Sequence, residues 1–323
     1  MMIYLKISIN QMFRKYFGYI LLVLSAHSLN AQQASLTTQY DVVSGIQNPA
    51  YNGMQQSLRI DAISRIQWAN FPGAPRYTCL GIQTPLSKDF AIGANFQSLK
   101  VGSFKVASPL TMNVLAGDIA YHKQVSKNMN VAVGLRLGIF GFNMQLSNLV
   151  ADNPTDVGIG GNDYNINTPV IGGGLIIYGK NYYLGAAMPQ YALLSDQIID
   201  NVNIGYNARS FYLFNAGYII PLNSKWNLKT TIQTRYYYGL PMQYDFNGYL
   251  IDKDLFSIGY GYRSTGSHAV LSSIKVNEFF KVLYSYENGT VYNKNIPFVS
   301  HEFGLSYSFG QPNKQTKVVP RFY

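Results

Sequence analysis

The chain has 323 residues, 25 Lys+Arg against 15 Asp+Glu, a formal charge of +10 and a single cysteine. Only 12% of residues are charged while 15% are aromatic, too few charges for a soluble all-β surface of this size. One cysteine excludes an intrachain disulfide, and the bases are too dispersed to form a nucleic-acid patch.

Residues 1–31 read as a secretory signal. Lys6, Arg14 and Lys15 precede the apolar run Phe17–Leu24, and Leu29-Asn30-Ala31 offers a cleavage site before Gln32. The run is too short to span a bilayer as a helix. Removing it takes three bases and lowers the formal charge to +7. No cysteine near the cleavage site invites lipidation. The next segment, 32–56, is expected to lie at the periplasmic base and to enter or plug the domain after it. Within it, Asn48-Pro49-Ala50-Tyr51-Asn52-Gly53 is rich in turn residues. Pro49 fixes its own φ, and Asn52-Gly53 supplies the positive φ of a tight turn.

From residue 57 to 309 the chain alternates polar and apolar residues in stretches of about ten, the period of a half-buried strand. Leu58, Ile60, Ala62 and Ile66 alternate with Arg59, Asp61 and Arg65. Trp226, Leu228 and Ile232 alternate with Asn227, Lys229 and Gln233, and Phe303, Leu305 and Tyr307 with Glu302, Gly304 and Ser306. The expected strands are 57–68, 76–85, 89–98, 113–124, 129–141, 168–179, 181–188, 209–221, 225–236, 241–251, 254–263, 268–276, 278–287 and 300–309. Tight turns are expected near 87–88, 126–128, 179–181, 223–224, 252–253 and 277–278. Longer connections fall at 69–75, 99–112, 142–167, 189–208 and 288–299. Short turns alternating with long loops around an even strand number predict an all-β, transmembrane antiparallel β-barrel of about fourteen strands in the outer membrane. That topology puts both termini in the periplasm, with 310–323 as a periplasmic tail. Phase makes Arg59, Arg65, Lys229, Arg235 and Lys281 candidate lumen-lining residues.

Catalytic and metal constellations are sparse. His122, His268 and His301 lack the spacing of a metal site, and no Gly-x-Ser-x-Gly elbow occurs. The three are expected at the barrel rims. Asp152, Asp156 and Asp163 lie in a glycine-rich loop without EF-hand spacing. Cys79 is expected as a small apolar strand residue, buried or facing lipid. Trp68, Tyr182-Tyr183 and Tyr236-Tyr237-Tyr238 are expected to anchor the membrane interfaces. No cofactor, metal or nucleic acid is expected, and the barrel is expected to be a monomer in the bilayer.

The stretches Asn48-Pro49-Ala50-Tyr51-Asn52-Gly53, Arg65-Ile66-Gln67-Trp68 and Phe71-Pro72-Gly73-Ala74-Pro75-Arg76-Tyr77-Thr78 follow one another just after the signal. In order and spacing they resemble the start of the PorP/SprF family, outer-membrane proteins of the Bacteroidetes type IX secretion and gliding apparatus. The resemblance implies a non-enzymatic component that partners secretion or surface attachment of a large adhesin-type cargo protein. It also implies contact with the cargo's C-terminal region and with other secretion components. Asn48, Pro49, Ala50, Tyr51, Gly53, Trp68, Pro72, Gly73 and Pro75 then become the candidate docking or plug residues. The alternative is a passive porin, in which the five inward bases select anions electrostatically.

Overall fold

The protein is described from a computed structural model. It describes residues 37–55, 57–102, 109–145, 147, 163–192, 198–199, 202–203, 211–237, 240–252, 255–291 and 296–309. The signal, the tail 310–323, Asp152 and Asp156 lie outside these. Ala34–Tyr238 and Met242–Tyr323 together make one compact unit, which holds the barrel.

Fourteen antiparallel strands close into a barrel. In chain order they are β1 (Leu58–Ile66), β2 (Arg76–Pro85), β3 (Phe90–Val101), β4 (Leu110–Ser126), β5 (Met129–Met144), β6 (Tyr164–Tyr178) and β7 (Tyr182–Ala192). After them come β10 (Phe211–Pro221), β11 (Trp226–Tyr237), β12 (Gln243–Asp252), β13 (Phe256–Arg263), β14 (Ser267–Lys275), β15 (Phe280–Val291) and β16 (Ile296–Phe309). Each strand pairs with its chain neighbours, and β1 pairs with β16 to close the ring, Leu58 opposite Phe309 and Ile66 opposite His301. A small hairpin, β8 (Ile198–Ile199) and β9 (Val202–Asn203), lies between β7 and β10, which pair directly. It occupies the expected loop 189–208.

The inside/outside phase agrees with the alternation. Arg59, Asp61 and Arg65 are buried, as are Lys229, Thr231, Gln233 and Arg235. Leu135, Leu137 and Leu305 sit on the outer face at 66%, 70% and 47% exposure. That face is apolar because it meets hydrocarbon rather than water. No helix among the described residues is long and apolar enough to cross a membrane, which says nothing of strands.

Two of the tight turns share one device. Asn223 Oδ1 accepts from the Lys225 and Trp226 amides, and Asn277 Oδ1 from the Phe279 and Phe280 amides. Such side chains satisfy the donors a two-strand reversal leaves open. Asp252, expected in a turn, is instead the last residue of β12, buried and paired with Lys225 at 3.2 Å.

The expected connections 99–112 and 142–167 shorten to 102–109 and 145–163, and a third shrinks most. The pattern makes 288–299 a connection, but β15 runs on to Val291 and β16 starts at Ile296, leaving 292–295. Pro297 is the misleading residue, since proline removes a ladder donor. Here β16 extends past the end of β1, so Pro297 pairs only with Thr290 of β15 and no second ladder loses a bond.

Candidate functional site: a luminal plug

The segment 37–55 lies inside the barrel. Almost every described residue of it is buried, with Asn48 and Ala50 at 0% and Tyr51 at 2% exposure. It contains one helical turn, Ser44–Gln47, and a 3₁₀ turn, Pro49–Tyr51. Asn48 caps the second, its Oδ1 accepting from the Ala50 amide at 2.9 Å, and Pro49 sits where a missing N–H is harmless.

The plug starts beside Arg65, the penultimate residue of β1, and rejoins the wall at Leu58, the other end of that strand. At its start the Thr38 and Gln39 amides donate to the two Glu302 carboxylate oxygens at 2.7 and 2.8 Å. Thr38 Oγ1 donates to Glu287 and accepts from Arg65, while its carbonyl accepts from Asn247. Asp41 pairs with Lys229 and accepts from the Tyr249 hydroxyl at 3.0 Å. Burial alone raises the Asp41 pKa, but the Lys229 ammonium and the two side-chain hydrogen bonds outweigh it and hold the carboxyl below its ordinary value.

Lower down, Arg136 donates to the Gly45 and Ile46 carbonyls at 2.9 and 2.6 Å and is held by Asp118 at 2.7 Å. It thereby satisfies carbonyls that a single helical turn leaves open. Asn48 Nδ2 donates to the Leu175 carbonyl, Tyr51 OH donates to Asn215, and Asn52 Nδ2 donates to Asp118. His122 Nε2 lies 2.7 Å from the Asn52 carbonyl and its Nδ1 lies 2.9 Å from the Tyr178 hydroxyl. The first contact requires Nε2–H, and in the neutral ring Nδ1 then accepts from Tyr178.

Two apolar patches complete the seat. Val43 and Ile46 pack on Ile63, Tyr77 and Cys79, and Ala50, Tyr51 and Met54 pack on Ala132, Ile176, Tyr178, Tyr183 and Ile219. Wall glycines let the plug approach. A Cβ on Gly174 would stand 2.0 Å from Asn48 Oδ1, which no rotamer of a larger residue avoids.

The wall charges neutralise one another. Arg235 and Arg263 both bind Asp245, Arg263 reaches Glu287, and Arg65 bridges Glu287 and Glu302. Arg59 pairs with Asp61. Lys281 points inward as expected and is only half buried. Four of the five bases expected to line the lumen therefore face acids rather than an open pore.

The expected site residues separate into two places. Asn48, Pro49, Ala50, Tyr51 and Gly53 belong to the plug. At the other end of β1, Trp68, Pro72, Gly73 and Pro75 form the β1–β2 loop, so they are not plug residues. Trp68 holds φ 56°, a region bulky residues avoid. Its amide donates to Ser300, its ring packs on Phe298, and the next amide donates to the Val299 carbonyl. The loop is thereby clamped to the overhanging part of β16. As for a docking role, burial removes Asn48, Pro49, Ala50 and Tyr51 from any surface a partner could touch while the plug is seated.

Other expectations change too. His122 does lie at the short-turn end, its amide donating to the Asp89 carbonyl, but its ring faces the lumen and holds the plug. Of the two places expected for Cys79, the buried one is found, packed with Val43 inside the barrel. Tyr183 and Tyr237 also point inward, while Tyr236 stacks on Tyr212 at the outer face and Tyr238 lies outside the described residues. Among the described residues no group of three His, Cys, Asp or Glu is placed to hold a metal. Asp163 accepts from the Ser147 amide. The residues overlooked in the sequence are Asp118, Arg136, Asp245, Arg263 and Glu287. Arg136 carries a legible signal, a base between two outward leucines, and Asp118 is its register partner across β4–β5.

A closed fourteen-stranded barrel with an apolar outer face and a filled, charge-paired lumen defines a β-barrel membrane protein. The chain belongs to the PorP/SprF family of type IX secretion system membrane proteins, whose profile matches residues 29–307. It is thus an outer-membrane barrel component of that system. Among solved structures it resembles the CymD monoaromatic hydrocarbon channel, at TM-score 0.53 and 13% identity over 88% of this chain and 96% of that one. The Pseudomonas putida toluene transporter TodX matches at TM-score 0.49 and 12% identity, over 84% and 94%. The KdgM porin matches at TM-score 0.36 and 11% identity, over 78% and 99%. At 13% identity the likeness to CymD concerns the fold alone. No curated protein matches the chain.

Proposed function

We propose that this barrel is a non-enzymatic partner for the secretion or surface attachment of one large cargo protein. In this reading the protein is exported on the signal 1–31, stands as a monomer with both termini in the periplasm, and contacts the cargo and other secretion components through its exposed loops. The observation that carries it is the plug. A lumen filled by the chain's own residues, with four of its five expected bases matched to buried acids, is a poor conduit for anions and a sound scaffold for docking. The β1–β2 loop, clamped through Trp68 and presenting exposed Pro72, offers a held surface for that use.

The porin reading makes the opposite demand. Deleting the gene should remove one large protein from the cell surface and leave small-anion uptake unchanged. Reduced anion uptake with an intact surface proteome would reverse the assignment.

A further inference from the structure

The outer face carries a basic row that the plug and its seat do not use. Register aligns Tyr286, His301, Ile66, Arg76, Lys100 and Thr111 across β15, β16, β1, β2, β3 and β4. All six lie in the outward phase, at or near the long-loop ends of their strands. Arg76 and Lys100 are exposed and directly opposite each other. Like charges so placed repel, and their backbones stand only about 5 Å apart. Neither base joins an ion pair among the described residues. Every acid of the neighbouring strands β1, β15 and β16 (Asp61, Glu287 and Glu302) points into the lumen. His301 flanks the pair, its Nδ1 2.9 Å from the Tyr284 hydroxyl.

The rows beneath grade in polarity. Two residues down β2, β3 and β4 lie Thr78, Ser98 and Asn113, again in register. Two further down lie Leu80, Phe96 and Leu115, all exposed. Cations, then hydroxyls and an amide, then hydrocarbon is the order of a lipid with a phosphorylated headgroup, a polar linkage and acyl tails. A free anion would have no use for the lower two rows.

We infer that Arg76 and Lys100 bind the phosphate of a phosphorylated glycolipid in the leaflet at the long-loop end, with its tails along Leu80, Phe96 and Leu115. Its leaflet rests on the proposed topology; its existence does not. The bound phosphate offsets the repulsion between the two bases and fixes the barrel's depth at that interface.

The test is native mass spectrometry of the folded full-length mature barrel in maltoside micelles, titrated with bis-phosphorylated lipid A and with its dephosphorylated form. The phosphorylated lipid should bind and the dephosphorylated one should not. Arg76→Gln with Lys100→Gln should weaken binding roughly 30-fold, taking about 1 kcal/mol per base. Arg76→Lys with Lys100→Arg should keep it. Heat-modifiability reports folding, and if the double variant fails to fold, Lys100→Gln alone should lose roughly fivefold. Equal binding by the Gln variants, equal binding of dephosphorylated lipid, or full displacement by inorganic phosphate would each overturn the inference. The micelle assay is blind to orientation, so its failure is distinct from failure of the topology or of the cargo role.

Discussion

The Gly134 Cα faces the plug so closely that a Cβ there would stand 2.3 Å from the Ala50 backbone nitrogen. Backbone cannot move aside as a side-chain tip can. Gly134→Val should therefore unseat the plug while the ladder, to which valine is well suited, stays intact. Planar-bilayer conductance should rise from near silence to steady openings, with heat-modifiability unchanged. A silent Gly134→Val barrel would mean that 37–55 is not what closes the lumen.

Asp41 and Lys229 give the seal a pH limit. The Asp41 carboxyl is held below its ordinary value in the seated plug. A depressed carboxylate contributes its stability above the unfolded pKa, and that contribution is lost as pH falls through the folded pKa. The seal should hold at neutral pH and loosen in the acid range below the ordinary carboxylate value. Lys229→Met leaves a buried carboxylate without its cation, a change that destabilises by about 3–5 kcal/mol. It should open the lumen already at neutral pH. Asp41→Asn should flatten the acid limb of the conductance profile, and an unchanged limb would place the titrating group elsewhere.

Depth along the outer face should decide the effect of a new charge. Leu137 lies mid-strand on β5 and Val125 one residue from the end of β4, both exposed to lipid. Leu137→Arg should destabilise by ~2–4 kcal/mol and Val125→Arg by about 0–1 kcal/mol. Urea unfolding from lipid vesicles reads the difference. Equal losses would mean that the hydrocarbon band lies elsewhere.

Orientation is open to cysteine labelling of intact cells with Cys79→Ala as background. Pro72→Cys should label and Lys180→Cys should be protected. The reverse pattern would turn the barrel over and place the glycolipid row in the inner leaflet.

Much of this fold is legible in the sequence, because period-two alternation and turn chemistry are local. Strand 76–85 is bounded correctly since Pro75 and Ser87 punctuate it, and the phase of Arg59 and Lys229 follows from their apolar neighbours. The plug's path is not legible. Nothing near Thr38 says that its amide meets Glu302, far along the chain, because that contact depends on ring closure. Pairing Arg65 with Glu287 likewise needs three-dimensional proximity, so the bases read as an anion filter when they are one half of a neutral network. Pro297 shows the remaining weakness. A proline reads as a loop until the overhang of β16 supplies a place where its missing donor does no harm.

The seam between β1 and β16 carries a consequence for biogenesis. It joins the first strand to the last, and the plug immediately precedes the first. Plug residues touch wall strands all round the ring, from Asp118 on β4 to Glu302 on β16. Once the ring is sealed, threading them in would mean dragging Asp41 and a row of unpaired amides through a narrow bore. The plug therefore belongs inside before β1 and β16 meet, and that seam closes behind it.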